Sequence, residues 1–139
     1  MKIRWIIIAV AALVAAAYFS YAPSGPGSGE KAPDFILETA DAREYDLNDI
    51  ISDGPILLEF WAPWCHVCKG ELNKLIRIND AGKYKVVIIT PQEILGLPFL
   101  SLVDKHSHVA KEYGVYSIPQ SYFINRDGII EKHVVGPLK

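Results

Sequence analysis

The chain has 139 residues, half of them hydrophobic, with a formal net charge of -2. So small a charge provides no broad basic surface, which argues against nucleic acid as a partner. About thirty N-terminal residues read as something other than a folded domain, so the rest suffices for one core but not two.

Residues 1–22 form the first expected unit, a membrane segment. Lys2 and Arg4 precede the run Trp5 to Phe19, which has no charged or strongly polar side chain. A cleaved signal peptide and an uncleaved anchor are the two readings. Ala15-Ala16-Ala17 has the small residues of a cleavage site, whereas Trp5 at one end and Tyr18, Phe19 and Tyr21 at the other match the aromatic belt of a spanning helix. Trp5 to Ala22 would extend about 27 Å as a helix, close to the ~30 Å hydrocarbon core, so the anchor is favoured. Lys2 and Arg4 then keep the amino terminus cytoplasmic and send the domain to the other side. No cysteine follows the apolar run, which excludes a lipoprotein anchor.

Residues 23–30 are rich in Pro, Gly and Ser and read as a flexible linker, with a reach of roughly 15 Å. Residues 31–139 are the expected catalytic domain. Ala32-Pro33-Asp34-Phe35-Ile36-Leu37 predicts a short edge strand, with proline tolerated at its start. Tyr45 to Ile51 predicts a turn or short helix before the Asp53-Gly54-Pro55 break.

Pro55 to Phe60 is an apolar run of buried-strand length, interrupted by Glu59. Strand alternation places Glu59 on the face of Leu57 and Trp61, where a carboxylate is expected to be buried with a raised pKa and able to exchange a proton with a thiol. The chain's two cysteines follow in Cys65-His66-Val67-Cys68, ahead of a helical pattern carried by Cys68, Leu72, Leu75 and Ile76. A disulfide over so short a loop restrains the unfolded chain little, which favours a redox role over a staple. Cys65 falls at the helix start, where free N–H groups and the dipole favour a thiolate, and Cys68 lies one turn further in, able to resolve a mixed disulfide. Zinc would need about four ligands, and the other histidines are distant in sequence.

Phe60-Trp61-Ala62-Pro63-Trp64-Cys65-His66-Val67-Cys68-Lys69 resembles the active-site segment of the thioredoxin superfamily. With Ala32-Pro33-Asp34-Phe35 and Glu71, it is similar to the membrane-tethered TlpA/ResA/CcmG-type thiol-disulfide oxidoreductases, over about residues 30–136. The resemblance implies an α/β, thioredoxin-like fold: a central mixed β-sheet flanked by helices, behind an N-terminal transmembrane helix. It aligns Glu59 with thioredoxin's buried aspartate, and Glu71 with the glutamate by which ResA-type proteins tune their cysteines. Both carboxylates would oppose the thiolate and shift the couple toward a reductant. His66, when protonated, would act the other way. Val67 stands where the family's commonest reductants have proline, a departure that leaves the potential open.

Further along, Lys85 to Thr90 predicts a second buried strand, parallel to the first because a helix connects them. Phe99 to Asp104 predicts a strand and Val109 to Tyr113 a helix ending at Gly114. Ile118-Pro119 resembles the superfamily's cis-proline loop, which implies a groove where Ile118 and Pro119, with Trp64, His66 and Val67, meet the substrate. Ser121 to Asn125 then predicts a strand, and Arg126-Asp127-Gly128 a hairpin turn to Ile129–Val135. Gly136 to Lys139 does not supply the helix that normally finishes this fold. An apolar sheet face is therefore expected to lie bare, to be shielded by a partner, a second copy or the bilayer.

The expected function is an extracytoplasmic, membrane-tethered oxidoreductase that reduces exported cysteine-containing proteins, apocytochrome c among them. Its electrons would come from a membrane thiol reductase of the DsbD/CcdA type. The expected redox centre is the Cys65–Cys68 disulfide itself, without metal or other cofactor. An oxidase or isomerase is the alternative within the chemistry, and a SCO-like copper chaperone using His133 the alternative outside it. The cysteine pattern of a peroxiredoxin is absent, because Ala62 occupies the position three before Cys65.

Overall fold

A computed structural model describes residues 2–21 and 25–139. Met1 and residues 22–24, where the expected membrane segment meets the linker, lie outside the described residues, as do the side chains of Lys2 and Tyr21. The first helix, α1 (Lys2–Tyr21), is long and apolar enough over Ile3–Ser20 to cross a membrane, and none of that stretch is buried.

The domain runs β1 (Ile36–Glu38), β2 (Glu44–Asp46), α2 (Leu47–Ser52), β3 (Ile56–Phe60), α3 (His66–Asp80), β4 (Lys85–Thr90), β5 (Leu100–Val103), α4 (His108–Glu112), β6 (Gln120–Ile124) and β7 (Ile130–Val135). The described residues build one mixed sheet in the order β2-β1-β5-β4-β3-β6-β7. β3, β4 and β5 are parallel, and the other pairings are antiparallel. Strands β3 and β4 sit at the centre and are covered on both faces, which is why their sequences are nearly continuous apolar runs.

Side-chain alternation divides the core in two. Leu58, Phe60, Val87, Ile89, Tyr122 and Ile124 pack with Ile50 and Ile51 of α2 and Val109 of α4. Leu57, Trp61, Val86 and Ile88 pack with Cys68 and Leu75 of α3. Glu59, between Leu58 and Phe60, therefore belongs to the α3 side. Helix α3 thus carries its apolar stripe onto the centre of the sheet and brings its first turn to the C-terminal end of β3.

The structure corrects several expectations. β1 is not at an edge but lies between β2 and β5, because Glu44–Asp46 folds back on it as the outer strand. The predicted turn or helix at residues 45–51 divides between β2 and α2, which starts where the Asp46 carboxylate accepts from the Asn48 and Asp49 amides.

The linker expected over residues 23–30 is docked from Gly25 onward. Gly29 donates to the Ile130 carbonyl at 2.7 Å, and Ile130 donates back to Glu30 at 2.9 Å. A Cβ on Gly25 would stand 1.9 Å from the Tyr113 carbonyl oxygen, so only glycine fits there.

Among the described residues no helix follows β7, yet the sheet face beside α3 is not left bare. Phe123 meets Tyr84 edge to face at 5.1 Å, Lys132 lies over its ring at 5.7 Å, and Leu138 packs against the α3 cluster. A cation over an aromatic face and a long aliphatic stem cover apolar area that a helix would otherwise cover.

Candidate active site

Cys65 is the N-cap of α3, with extended backbone, and its sulfur accepts from the Cys68 amide at 3.1 Å. A sulfur placed at the N-terminus of a fifteen-residue helix receives the N–H groups that have no carbonyl partner within the helix. Those donors and the dipole stabilise the thiolate of the reduced form. Cys65 and Cys68 are joined as a disulfide, with Cα atoms 5.2 Å apart. Cys65 is half-buried, whereas Cys68 is fully enclosed by the α3 cluster. Only the first sulfur is open to an incoming disulfide.

Two carboxylates lie on the same side of the sheet. Glu59 is completely buried one residue before the end of β3, and the antiparallel register sets it opposite Ser121 of β6. The Ser121 hydroxyl donates to Glu59 Oε2 at 2.5 Å, while Oε1 has no partner. Burial pushes the Glu59 pKa up to about 8, against the Ser121 hydrogen bond, and the charge of Glu71 adds to the rise. Glu59 is therefore mostly protonated at neutral pH.

Glu71, buried on the second turn of α3, accepts at Oε1 from the Leu138 amide and leaves Oε2 unpartnered. Burial raises its pKa too, opposed by the Leu138 amide and the nearby Lys74 charge. Trp61 Nε1 is a third buried polar atom without a partner. Unpaired buried polar atoms are costly, and protonation of Glu59 removes the larger cost of an unpaired charge there.

The Ile118–Pro119 peptide bond is cis, as the resemblance implies. Pro119 is buried and Ile118 is half-exposed. Ile118 and Trp64 line one groove of about 310 Å³ with Tyr116, Ser117, Pro91 and Trp61. Val67 does not share it. It lines a separate hollow with Glu71, Lys74 and Leu138. His66 is exposed at the first position of α3. A larger cavity of about 560 Å³ lies between β1, β2 and the start of α4, and none of the expected site residues lines it. His133 bonds Gln120 and stacks on Tyr122. Ser121 and the Leu138 amide are the contributors that the sequence did not single out.

A mixed sheet with a dithiol-bearing helix at the end of a central strand, set against a cis-proline loop, defines a thioredoxin-fold thiol-disulfide oxidoreductase. Comparison with known proteins gives the same class: the chain belongs to the AhpC/TSA family, whose model matches residues 28–133. Thiol-disulfide oxidoreductase ResA of Geobacillus thermodenitrificans is 30% identical over 123 residues, covering 79% of this chain and 70% of that one. ResA of Bacillus subtilis is 27% identical, covering 79% and 68%. Among solved structures, a thiol:disulfide interchange protein DsbE from Chlorobium tepidum superposes with a TM-score of 0.68 at 27% identity, covering 83% of this chain and 89% of that one. The thioredoxin domain of an oxidoreductase from Bacteroides vulgatus, at 16% identity and a TM-score of 0.71, covering 81% and 91%, shares the fold.

Proposed function

We propose that the chain is a membrane-tethered dithiol reductant acting outside the cytoplasm, with α1 as its anchor, residues 31–139 as its catalytic domain and the amino terminus in the cytoplasm. The observation that carries this reading is the unequal exposure of the two sulfurs above a buried, largely protonated Glu59. In the reduced protein, the Cys65 thiolate attacks one sulfur of a substrate disulfide, forming a mixed disulfide and releasing the other substrate sulfur as a thiolate. Cys68 loses its proton and attacks Cys65, which closes the Cys65–Cys68 bond and releases the second substrate thiol.

Cys68 is shut off from solvent, so its proton needs an internal acceptor. Glu59, once ionised, takes that proton in this reading, and Glu71, when ionised, adds a second negative charge that disfavours the dithiolate. The cis-proline loop at Ile118–Pro119, with Trp64 and His66, receives the substrate backbone, and Val67 borders the approach from the other side. By family resemblance, the substrates are exported cysteine-containing proteins such as apocytochrome c, and a membrane thiol reductase of the DsbD/CcdA type returns the electrons.

The deciding measurement is the reduction potential of the Cys65–Cys68 couple together with insulin-disulfide reduction. A potential near or below about -270 mV, with reduction lost in Cys65→Ser, is the expected result. A potential near about -120 mV would make the protein an oxidant and overturn the proposal.

A further inference from the structure

The strand after the cis-proline carries contacts that the exchange chemistry does not use. Gln120, buried at the start of β6, reaches back over the loop, and its Nε2 donates to the Ser117 carbonyl at 2.9 Å. Its Oε1 lies 2.9 Å from His133 Nε2. The Ser117 carbonyl is only an acceptor, so the amide must turn its nitrogen toward Ser117 and its oxygen toward His133. His133 must then carry a proton on Nε2. The Ser117 carbonyl thus sets which way Gln120 points, and Gln120 in turn selects the form of His133 that can hold it there.

His133 is itself held in place. Its ring stacks on Tyr122, with centroids 4.1 Å apart and planes 10° from parallel. The Tyr122 hydroxyl donates to the Tyr113 carbonyl at 2.6 Å, where the loop begins. From the end of β7, the Gly136 amide donates to the Pro119 carbonyl at 2.9 Å. The segment 117–119 is therefore fastened at both ends by groups on β6 and β7, while Ile118 faces the groove it shares with Trp64.

We infer that Gln120 and His133 are positioning residues for substrate capture: together they hold the Ser117–Ile118 backbone in the form that receives an extended polypeptide beside Cys65. The inference rests on the proposal that this loop binds the substrate. Neither side chain belongs to the dithiol's own surroundings, since both lie on the sheet face opposite α3, the face of Tyr122. Loss of the brace should therefore weaken capture of a protein disulfide and leave the reactivity of Cys65 alone.

The test uses the full chain in detergent and two substrates, insulin and the small disulfide 5,5′-dithiobis(2-nitrobenzoate), which needs no backbone pairing. His133→Ala and Gln120→Ala are each expected to raise the KM for insulin about fivefold, the effect of one net hydrogen bond, with kcat, the small-disulfide rate and the potential within about twofold of wild type. His133→Gln retains an N–H donor and is expected to restore the KM. An unchanged insulin KM in both alanine variants, or an equal loss on both substrates, would overturn the inference. So would a His133→Gln variant as impaired as His133→Ala. Ile118→Gly separates the two levels of the argument. If it too leaves the insulin KM unchanged, the loop is not the substrate site. If it alone raises the KM, the loop binds substrate but the brace is irrelevant.

Discussion

Ser121 Oγ stands 2.5 Å from Glu59 Oε2, a hydroxyl and a carboxyl facing each other across two central strands with no solvent between them. This contact partly offsets the burial that would otherwise push the Glu59 proton affinity higher still. It thereby sets the pH at which the buried acid becomes a base.

Glu59 ties stability to pH. Its folded pKa of about 8 exceeds the ordinary 4.5, so between those values the unfolded chain releases a proton that the folded chain keeps. Stability from this group is therefore greatest below pH 4.5 and falls as pH rises toward 8. Glu59→Gln is expected to flatten that fall, read as urea midpoints at pH 5, 6, 7 and 8. It should also remove an inflection near pH 8 from the insulin-reduction profile.

Ser121→Ala removes a hydrogen bond that lowers the Glu59 pKa. The carboxyl should then titrate at higher pH than in wild type, followed by its infrared carbonyl band. The activity inflection should move in the same direction. Leaving Oε2 without a donor in a sealed site is expected to cost about 1–3 kcal/mol at neutral pH. A titration that stays in place would mean that the Ser121 hydrogen bond does not set the value.

Glu71→Gln removes a negative charge from the second turn of α3. The thiol pKa of Cys65 should fall, measured by the pH dependence of iodoacetamide alkylation. The potential should rise by about 30 mV for each unit of that fall. No change in either would place the Glu71 charge out of reach of the dithiol.

Gly25→Val places a side chain where the Tyr113 carbonyl stands. The docked segment should detach from its site beside α4, losing cover over the Gly29–Ile130 hydrogen bonds. Faster proteolysis within residues 25–31 of the full chain is the expected result, with a stability loss on the order of 1–3 kcal/mol. Cleavage at the wild-type rate would show that the docking contributes nothing.

Much of this molecule is legible in one dimension because the informative features are local. The strand at Ile56–Phe60, the helix that begins at the dithiol and the burial of Glu59 all follow from apolar period and neighbouring residues. The cis bond at Pro119 was accessible only through the family pattern. β1 lies inside the sheet and not at the predicted edge, because strand order is a property of which hydrogen-bonding rows meet, and a three-residue strand carries almost no pattern of its own. Residues 25–30 look like a linker by composition, yet the Gly29 amide and the Glu30 carbonyl find partners on Ile130, the first residue of β7.

The sequence alone determined the reactive pair and its polarity along the helix, because a nucleophile, a turn and a resolving thiol are encoded within four consecutive residues. Only the tertiary structure decided what surrounds them. Ser121 reaches Glu59 from 62 positions away, Leu138 reaches Glu71 from 67, and His133 orients Gln120 across a hairpin. Such partners are chosen by strand register and helix docking. A shift of one residue in that register would turn Ser121 to the opposite face and leave the buried carboxyl with no donor.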